Sequence, residues 1–261
     1  MASKLSSSFA IHRRTVVALL LREMLTRYGR HNIGFLWLFV EPMLFTLGVT
    51  ALWTATQSVH GSDLPIVAFA LTGYSSVLLW RNMPSRCIMS VTHNLAIMNH
   101  RNIKIIDIYL SRILLEAAGA TISFVVLSVI FMSIEWIEPP ENLLQIAYGW
   151  LMLALFGMSL AFFLGALSEQ YETVEKLWHP ASYLLFPLSG AAFLVDSLPK
   201  AAQEFVLTLP MVHGVEMIRE GYFGGKINAV YDTGYMTAMI LLLMFLGLVQ
   251  IRRISKDVVP E

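Results

Sequence analysis

Cysteine is nearly absent. Cys87 is the only one in 261 residues, so no intrachain disulfide can form and a Cys-rich metal site is excluded. Charge is scarce as well: Asp, Glu, Lys and Arg make up 14% of the chain, against about a quarter in soluble domains. The 18 basic and 18 acidic residues cancel, leaving no basic field of the kind that neutralises nucleic-acid phosphates. Strings that bind nucleotides or cleave bonds are also missing. There is no GxxxxGKS or GxxxxGKT, no GxGxxG, no HExxH and no GxSxG, so the chain carries no phosphate loop for hydrolysing ATP. The histidines, at positions 12, 31, 60, 93, 100, 179 and 213, are too scattered to predict a metal cluster.

Apolar residues fill the space that charge leaves. They make up 56% of the chain, and the mean hydropathy is +0.64. A helix crosses the bilayer core with about 20 mostly apolar residues. Six runs approach that length: 35–57, 64–80, 105–134, 143–168, 177–195 and 233–251. They are continuously apolar instead of alternating, which predicts helices and not a β-barrel. The third run holds Asp107, Arg112 and Glu116 in its first half, so those residues are expected near an interface.

Lys and Arg concentrate on the cytoplasmic side of inner membranes. Here they gather in the N-terminal segment (Lys4, Arg13, Arg14, Arg22, Arg27, Arg30), after the second run (Arg81, Arg86, Arg101, Lys104) and in the tail (Arg252, Arg253, Lys256). The connections 58–63 and 135–141 contain neither, so both termini are expected inside. No cleavable signal peptide is evident, because about thirty residues of mixed polar sequence precede the first run. Within that opening segment Val17, Leu21, Met24, Leu25 and Tyr28 form a stripe, away from the arginines, and predict an amphipathic helix lying in the interface. The long connection 196–232 is rich in both turn and apolar residues, which predicts short re-entrant or interfacial helices on the outer face. The expected architecture is an all-α integral membrane protein of six transmembrane helices, with a cytoplasmic segment 1–34 and a tail 252–261.

Within the spans, Glu41 stands out, since an ionisable group at membrane depth costs about 2.5 to 3.5 kcal/mol and tends to be functional. Pro42 follows it and can kink the helix. The outer glutamates Glu135, Glu138 and Glu141 have no site chemistry around them and read as a solvated loop.

Four strings together resemble one family: Arg27 to Leu44 (RYGRHNIGFLWLFVEPML), Asn94 to Glu116 (NLAIMNHRNIKIIDIYLSRILLE), Tyr183 to Pro199 (YLLFPLSGAAFLVDSLP) and Leu209 to Phe223 (LPMVHGVEMIREGYF). They are similar, in order and spacing, to the membrane subunits of type 2 ABC exporters, specifically the KpsM-like capsular polysaccharide exporters of Gram-negative bacteria. The sequence departs from the pattern at Leu209 and His31, where Asn and Ser are usual.

The resemblance implies a homodimer bound to two cytoplasmic ATPase subunits, which hold ATP and Mg, while this chain holds no cofactor. It further implies a periplasmic adaptor, an outer-membrane channel and an acidic polysaccharide carried on a lipid. O-antigen or teichoic acid exporters, small-molecule exporters and an intramembrane glycan-lipid enzyme are the alternatives. On this reading Arg13, Arg14, Arg22, Arg27 and Arg30 attract the anionic substrate at the entrance. Trp37, Glu41, Trp53, Tyr183 and Phe186 line the conduit. A coupling segment at 84–101 meets the ATPase through His93, Asn94, His100 and Arg101. His213, Glu216, Arg219 and Glu220, spaced at i,i+3 and i,i+4, lock the outer helices as a gate or contact the adaptor.

Overall fold

Backbone polar groups in an apolar solvent must be satisfied within the chain, which favours helix over every open alternative. In the computed structural model, which describes residues 2–28, 32–56, 64–98 and 103–258, every long element is an α-helix and no strand occurs among the described residues. Side chains are described for 10–26, 36–37, 39–55, 64–98 and 103–255. In chain order the helices are α1 (Ala2–Tyr28), α2 (Asn32–Thr56), α3 (Ile66–Cys87), α4 (Leu95–Met98), α5 (Ile105–Ser133), α6 (Leu143–Gln170), α7 (Glu172–Leu188), α8 (Lys200–Val206), α9 (Pro210–Phe223) and α10 (Thr233–Val258).

Local chemistry sets several of the ends. Asp107 reaches back to the Lys104 N–H at the start of α5, and the Asn142 side chain accepts from Gln145 N–H at the start of α6. Helix α9 opens on Pro210 and closes on Gly224, whose φ is +54°. After α3 the chain turns sharply at Met89, a non-glycine residue with φ +52°.

Helix α6 is the hub, packed against α3, α9 and α10. Its approach to α3 is close enough to require glycine at position 157, where a Cβ would lie 2.9 Å from Trp80 Cα. Helix α3 is enclosed most fully, with every residue from Ala68 to Trp80 buried. The outward faces are apolar: Leu144 is 84% exposed and Phe245 65% exposed. Helices α5, α6 and residues Thr233–Ser255 of α10 are long and apolar enough to cross a membrane. Such surfaces are stable in lipid and not in water, and the chain is an all-helical integral membrane protein.

Three helices do not coincide with the apolar runs that announce them; α10 continues past Ile251 to Val258, so Arg252, Arg253 and Lys256 of the expected tail belong to it. Helix α3 continues to Cys87, two turns past the run ending at Trp80, so Arg81, Pro84 and Arg86 belong to a helix and not to a loop. Helix α7 begins earlier than expected, at Glu172, and stops at Leu188; the rest of the run, from Ser189, is turn and a short 3-10 helix at Val195–Ser197. The connection 196–232 does hold two short helices, α8 and α9.

The N-terminal helix is helical as expected, but the face that meets the protein centres on buried Leu19 and carries His12 and Glu23, not the expected stripe. His12 pairs with Asp107 and Glu23 with Arg112, while Val17, Leu21 and Leu25 face outward.

Candidate functional site

Aromatic side chains from three helices meet along the face of α3. Trp53 of α2 stacks on Phe69 at 6.1 Å and meets Tyr74 edge-on at 5.1 Å. Tyr74 touches Phe186 of α7 at 5.2 Å, and Phe45 of α2 meets both, at 6.1 and 5.9 Å. A guanidinium closes each end of this column. Arg219 lies 3.8 Å over the Phe69 ring, and Arg81 lies 4.6 Å over Tyr183 and 5.8 Å over Phe186. Twelve residues of α3 separate Phe69 from Arg81, a rise of about 18 Å, or more than half the hydrocarbon thickness of a bilayer.

Toward the end of α3 that carries Arg81, the segment after Met89 is fastened from two sides. Glu169, at the end of α6, accepts from Val91 N–H at 2.7 Å, Thr92 N–H at 3.1 Å and the Thr92 hydroxyl at 2.6 Å. Beside it Ser168 Oγ accepts from Met89 N–H at 3.0 Å. From α1, Arg22 donates to Asn94 Oδ1 at 2.9 Å, while Asn94 donates to Ser90 O at 2.7 Å. Arg112 bonds Arg86 O at 2.7 Å and approaches Glu23 at 3.4 Å, and Arg86 approaches Glu116 at 3.2 Å. One short helical stretch, 92–98, is therefore tied to α6 and to α1, and neighbouring ion pairs tie α1 to α5.

At the opposite end Arg219 is fully buried and donates to the carbonyls of Gly190 and Ala191, both at 2.6 Å, and to that of Phe193. Those carbonyls belong to the turn after α7. Gly73 allows the approach, since a Cβ there would stand 2.5 Å from Ala191 O and 2.8 Å from the guanidinium. Glu216, also fully buried, lies 4.0 Å from Arg219 and accepts from Val195 N–H at 3.3 Å and Val230 N–H at 3.2 Å. His213 takes the Asp232 N–H on Nδ1 and therefore donates from Nε2 to Leu207 O. Glu220 accepts from Gln145 and from the Tyr231 hydroxyl. On the surface nearby, Lys226 reaches Glu138 at 2.7 Å. That hydrogen bond, with the lysine's charge behind it, holds the Glu138 carboxyl below its ordinary range and lifts Lys226 above its own.

The expected site residues distribute unevenly over these features. Trp53, Tyr183 and Phe186 stand together in the aromatic column. Trp37 and Glu41 are exposed on α2 and lie outside it. Arg13 and Arg14 are exposed on α1, whereas Arg22 is engaged with Asn94. The Arg27 side chain and residues Arg30, His100 and Arg101 lie outside the described residues. His93 is exposed, but Asn94 is buried with its amide bonded inside the chain, so it is turned away from any ATPase contact. Glu216 and Arg219 are likewise fully buried, with no surface to offer an adaptor; they fasten α9 to the turn after α7 from within.

Phe45, Phe69, Tyr74, Arg81 and Glu169 are the members that sequence reasoning missed. For Arg81 a signal existed: the charge follows Trp80 without a turn residue, so the helix had no local reason to stop.

The model of the ABC-2 type transporter family matches residues 14–223. Over 254 residues the chain is 41% identical to the capsule polysaccharide export inner-membrane protein CtrC of Neisseria meningitidis serogroup B and 40% identical to the protein of the same description, BexB, from Haemophilus influenzae. Each alignment covers 97% of this chain and 96% of the relative. The polysialic acid transport protein KpsM of Escherichia coli is 26% identical over 246 residues, covering 93% of this chain and 94% of that protein. With a family model matched over most of its length and relatives aligned nearly end to end, the chain belongs to the ABC-2 type transporter family.

Proposed function

We propose that this chain is the transmembrane subunit of an ATP-driven exporter that moves lipid-linked capsular polysaccharide across the bacterial inner membrane. The observation that carries this reading is the end-to-end kinship with capsule polysaccharide export proteins. ATP hydrolysis belongs to a separate subunit, which binds ATP and Mg; this chain is not an enzyme and supplies no cofactor site. Its working form is a homodimer with two such ATPases, joined by a periplasmic adaptor and an outer-membrane channel.

Six spans, carried on α2, α3, α5, α6, α7 and α10, leave both termini in the cytoplasm, in keeping with the distribution of Lys and Arg. Helices α8 and α9 re-enter the outer face. The arginines of α1 and the segment after it draw the anionic, lipid-linked polymer to the entrance. Phe45, Trp53 and Phe186, the rings packed around buried Tyr74, keep exposed surface on which a sugar chain slides instead of being captured, which suits a conduit. Stretch 92–98 receives the ATPase stroke, with His93 at the contact. Its ties to Glu169 and Arg22 pass the motion to α6 and α1.

The test is ATP turnover of the chain in nanodiscs, alone and with its ATPase, on addition of lipid-linked capsular glycan. Turnover that requires the partner and responds to the glycan is the expected result. Failure of any ATPase to bind overturns the exporter reading, and binding without a glycan response overturns the cargo alone.

A further inference from the structure

Arg81 is the charge that the fold leaves unspent. It sits six residues inside the end of α3 at Cys87, a rise of about 9 Å into the helix. Its neighbours are paired, Arg86 with Glu116 and Arg112 with Glu23. Among the described residues the Arg81 guanidinium makes no ion pair and no hydrogen bond; its contacts are the faces of Tyr183 and Phe186. Rings that hold a guanidinium by its flat face leave its N–H edges free, and those edges form the fork that fits a carboxylate. Tyr183 is itself 67% exposed, and its hydroxyl has no hydrogen-bond partner among the described residues.

We propose that Arg81 and Tyr183 form a subsite for one acidic sugar residue of the passing polymer, the carboxylate on the guanidinium fork and the sugar ring against the tyrosine. This rests on the export reading above and adds to it a point of contact with its own selectivity. An anionic lipid phosphate offers the same charge and can accept from the phenol, but it has no sugar ring to lie against the exposed face of Tyr183. The position also suits a polymer in transit. Through Phe186 the subsite opens onto the aromatic column, so a residue released from Arg81 meets ring faces next.

The experiment uses the full transporter with its ATPase in nanodiscs of neutral lipid, and measures binding of two probes, a sialic acid octamer and the same octamer with its carboxyl groups reduced to alcohols. Wild type is expected to prefer the acidic probe. Arg81→Gln should abolish that preference by weakening acidic binding about tenfold or more, with reduced-probe affinity unchanged. Arg81→Lys, which keeps charge but loses the fork, should recover only part of it. Tyr183→Ala should weaken both probes alike, and Tyr183→Phe, which keeps the ring, should cost less than Tyr183→Ala. Equal behaviour of wild type and Arg81→Gln overturns the subsite while leaving export intact. A preference that vanishes when anionic lipid is added assigns Arg81 to headgroups and also overturns it. Wild type that binds neither probe overturns the subsite, and if lipid-linked capsular glycan also fails to stimulate ATP turnover in the same preparation, the export reading falls with it.

Discussion

The two ends of the aromatic column are fastened by polar networks of opposite character. Around Arg219 the guanidinium itself is fully buried, the acceptors are main-chain carbonyls, and the residues joined come from α3, α9 and the turn after α7. Around Glu169 and Arg22 the bonds are partly open to solvent, and they join a short stretch to the ends of longer helices. A buried guanidinium deprived of its acceptors has nowhere to go, whereas a half-exposed carboxylate exchanges its partners for water at little cost. The Arg219 end is thus built to hold and the Glu169 end to move.

Breaking the Arg219 lock should have the largest effect. Arg219→Ala strands three carbonyls and leaves Glu216 buried without its cation; a loss of about 3 to 5 kcal/mol is expected, read as a large drop in Tm in detergent. Gly73→Val attacks the same lock through space alone and should cost about 1 to 3 kcal/mol in the same assay, because Ala191 O and Arg219 would both have to retreat. A Gly73→Val protein as stable as wild type would mean that the α3 contact is loose and that the comparison between the two ends fails.

The Glu169 end should respond locally instead of globally. Glu169→Gln weakens three bonds to residues 91–92, worth about 1 to 2 kcal/mol. It should raise hydrogen exchange at the Val91 and Thr92 amides while Tm moves little. Uniform loss of protection across α6 would contradict a separable lever. The smallest effect is expected at the exposed Glu138 and Lys226 pair, where Glu138→Gln should leave Tm unchanged at neutral pH within error. Any contribution from Glu138 is complete above its unfolded value of about 4.3 and fades as pH falls through the lower folded value. Lys226, whose value is raised, contributes below about 10.4 and loses that contribution as pH climbs past the folded value.

Legibility in the sequence followed the range of the interaction. The interval from His213 to Glu220 was readable as a lock because its charges repeat at helical spacing, yet its main partners lie elsewhere. Arg219 bonds carbonyls 26 to 29 positions away, and the i,i+3 contact with Glu216 is long at 4.0 Å. Asn94 was expected to face a partner because it sits in a polar loop, but loop polarity does not say which side chain turns inward toward Arg22. Arg81 was assigned to a loop because hydropathy falls at Trp80. Hydropathy reports preferred solvent and not helix length, and rings from α7 sheltered the charge.

The sequence by itself determined the solvent and the class. Summed over some twenty residues, apolar runs leave lipid as the medium and helix as the only backbone that satisfies itself there. The absent phosphate loop likewise excluded ATP hydrolysis by that route in this chain. Only the tertiary structure decided that Phe45, Trp53, Tyr74, Arg81, Tyr183 and Phe186 share one face. That outcome depends on which helix packs beside which and at what rotation, and no window along the chain contains it, because the residues meet across as many as 141 positions, from Phe45 to Phe186.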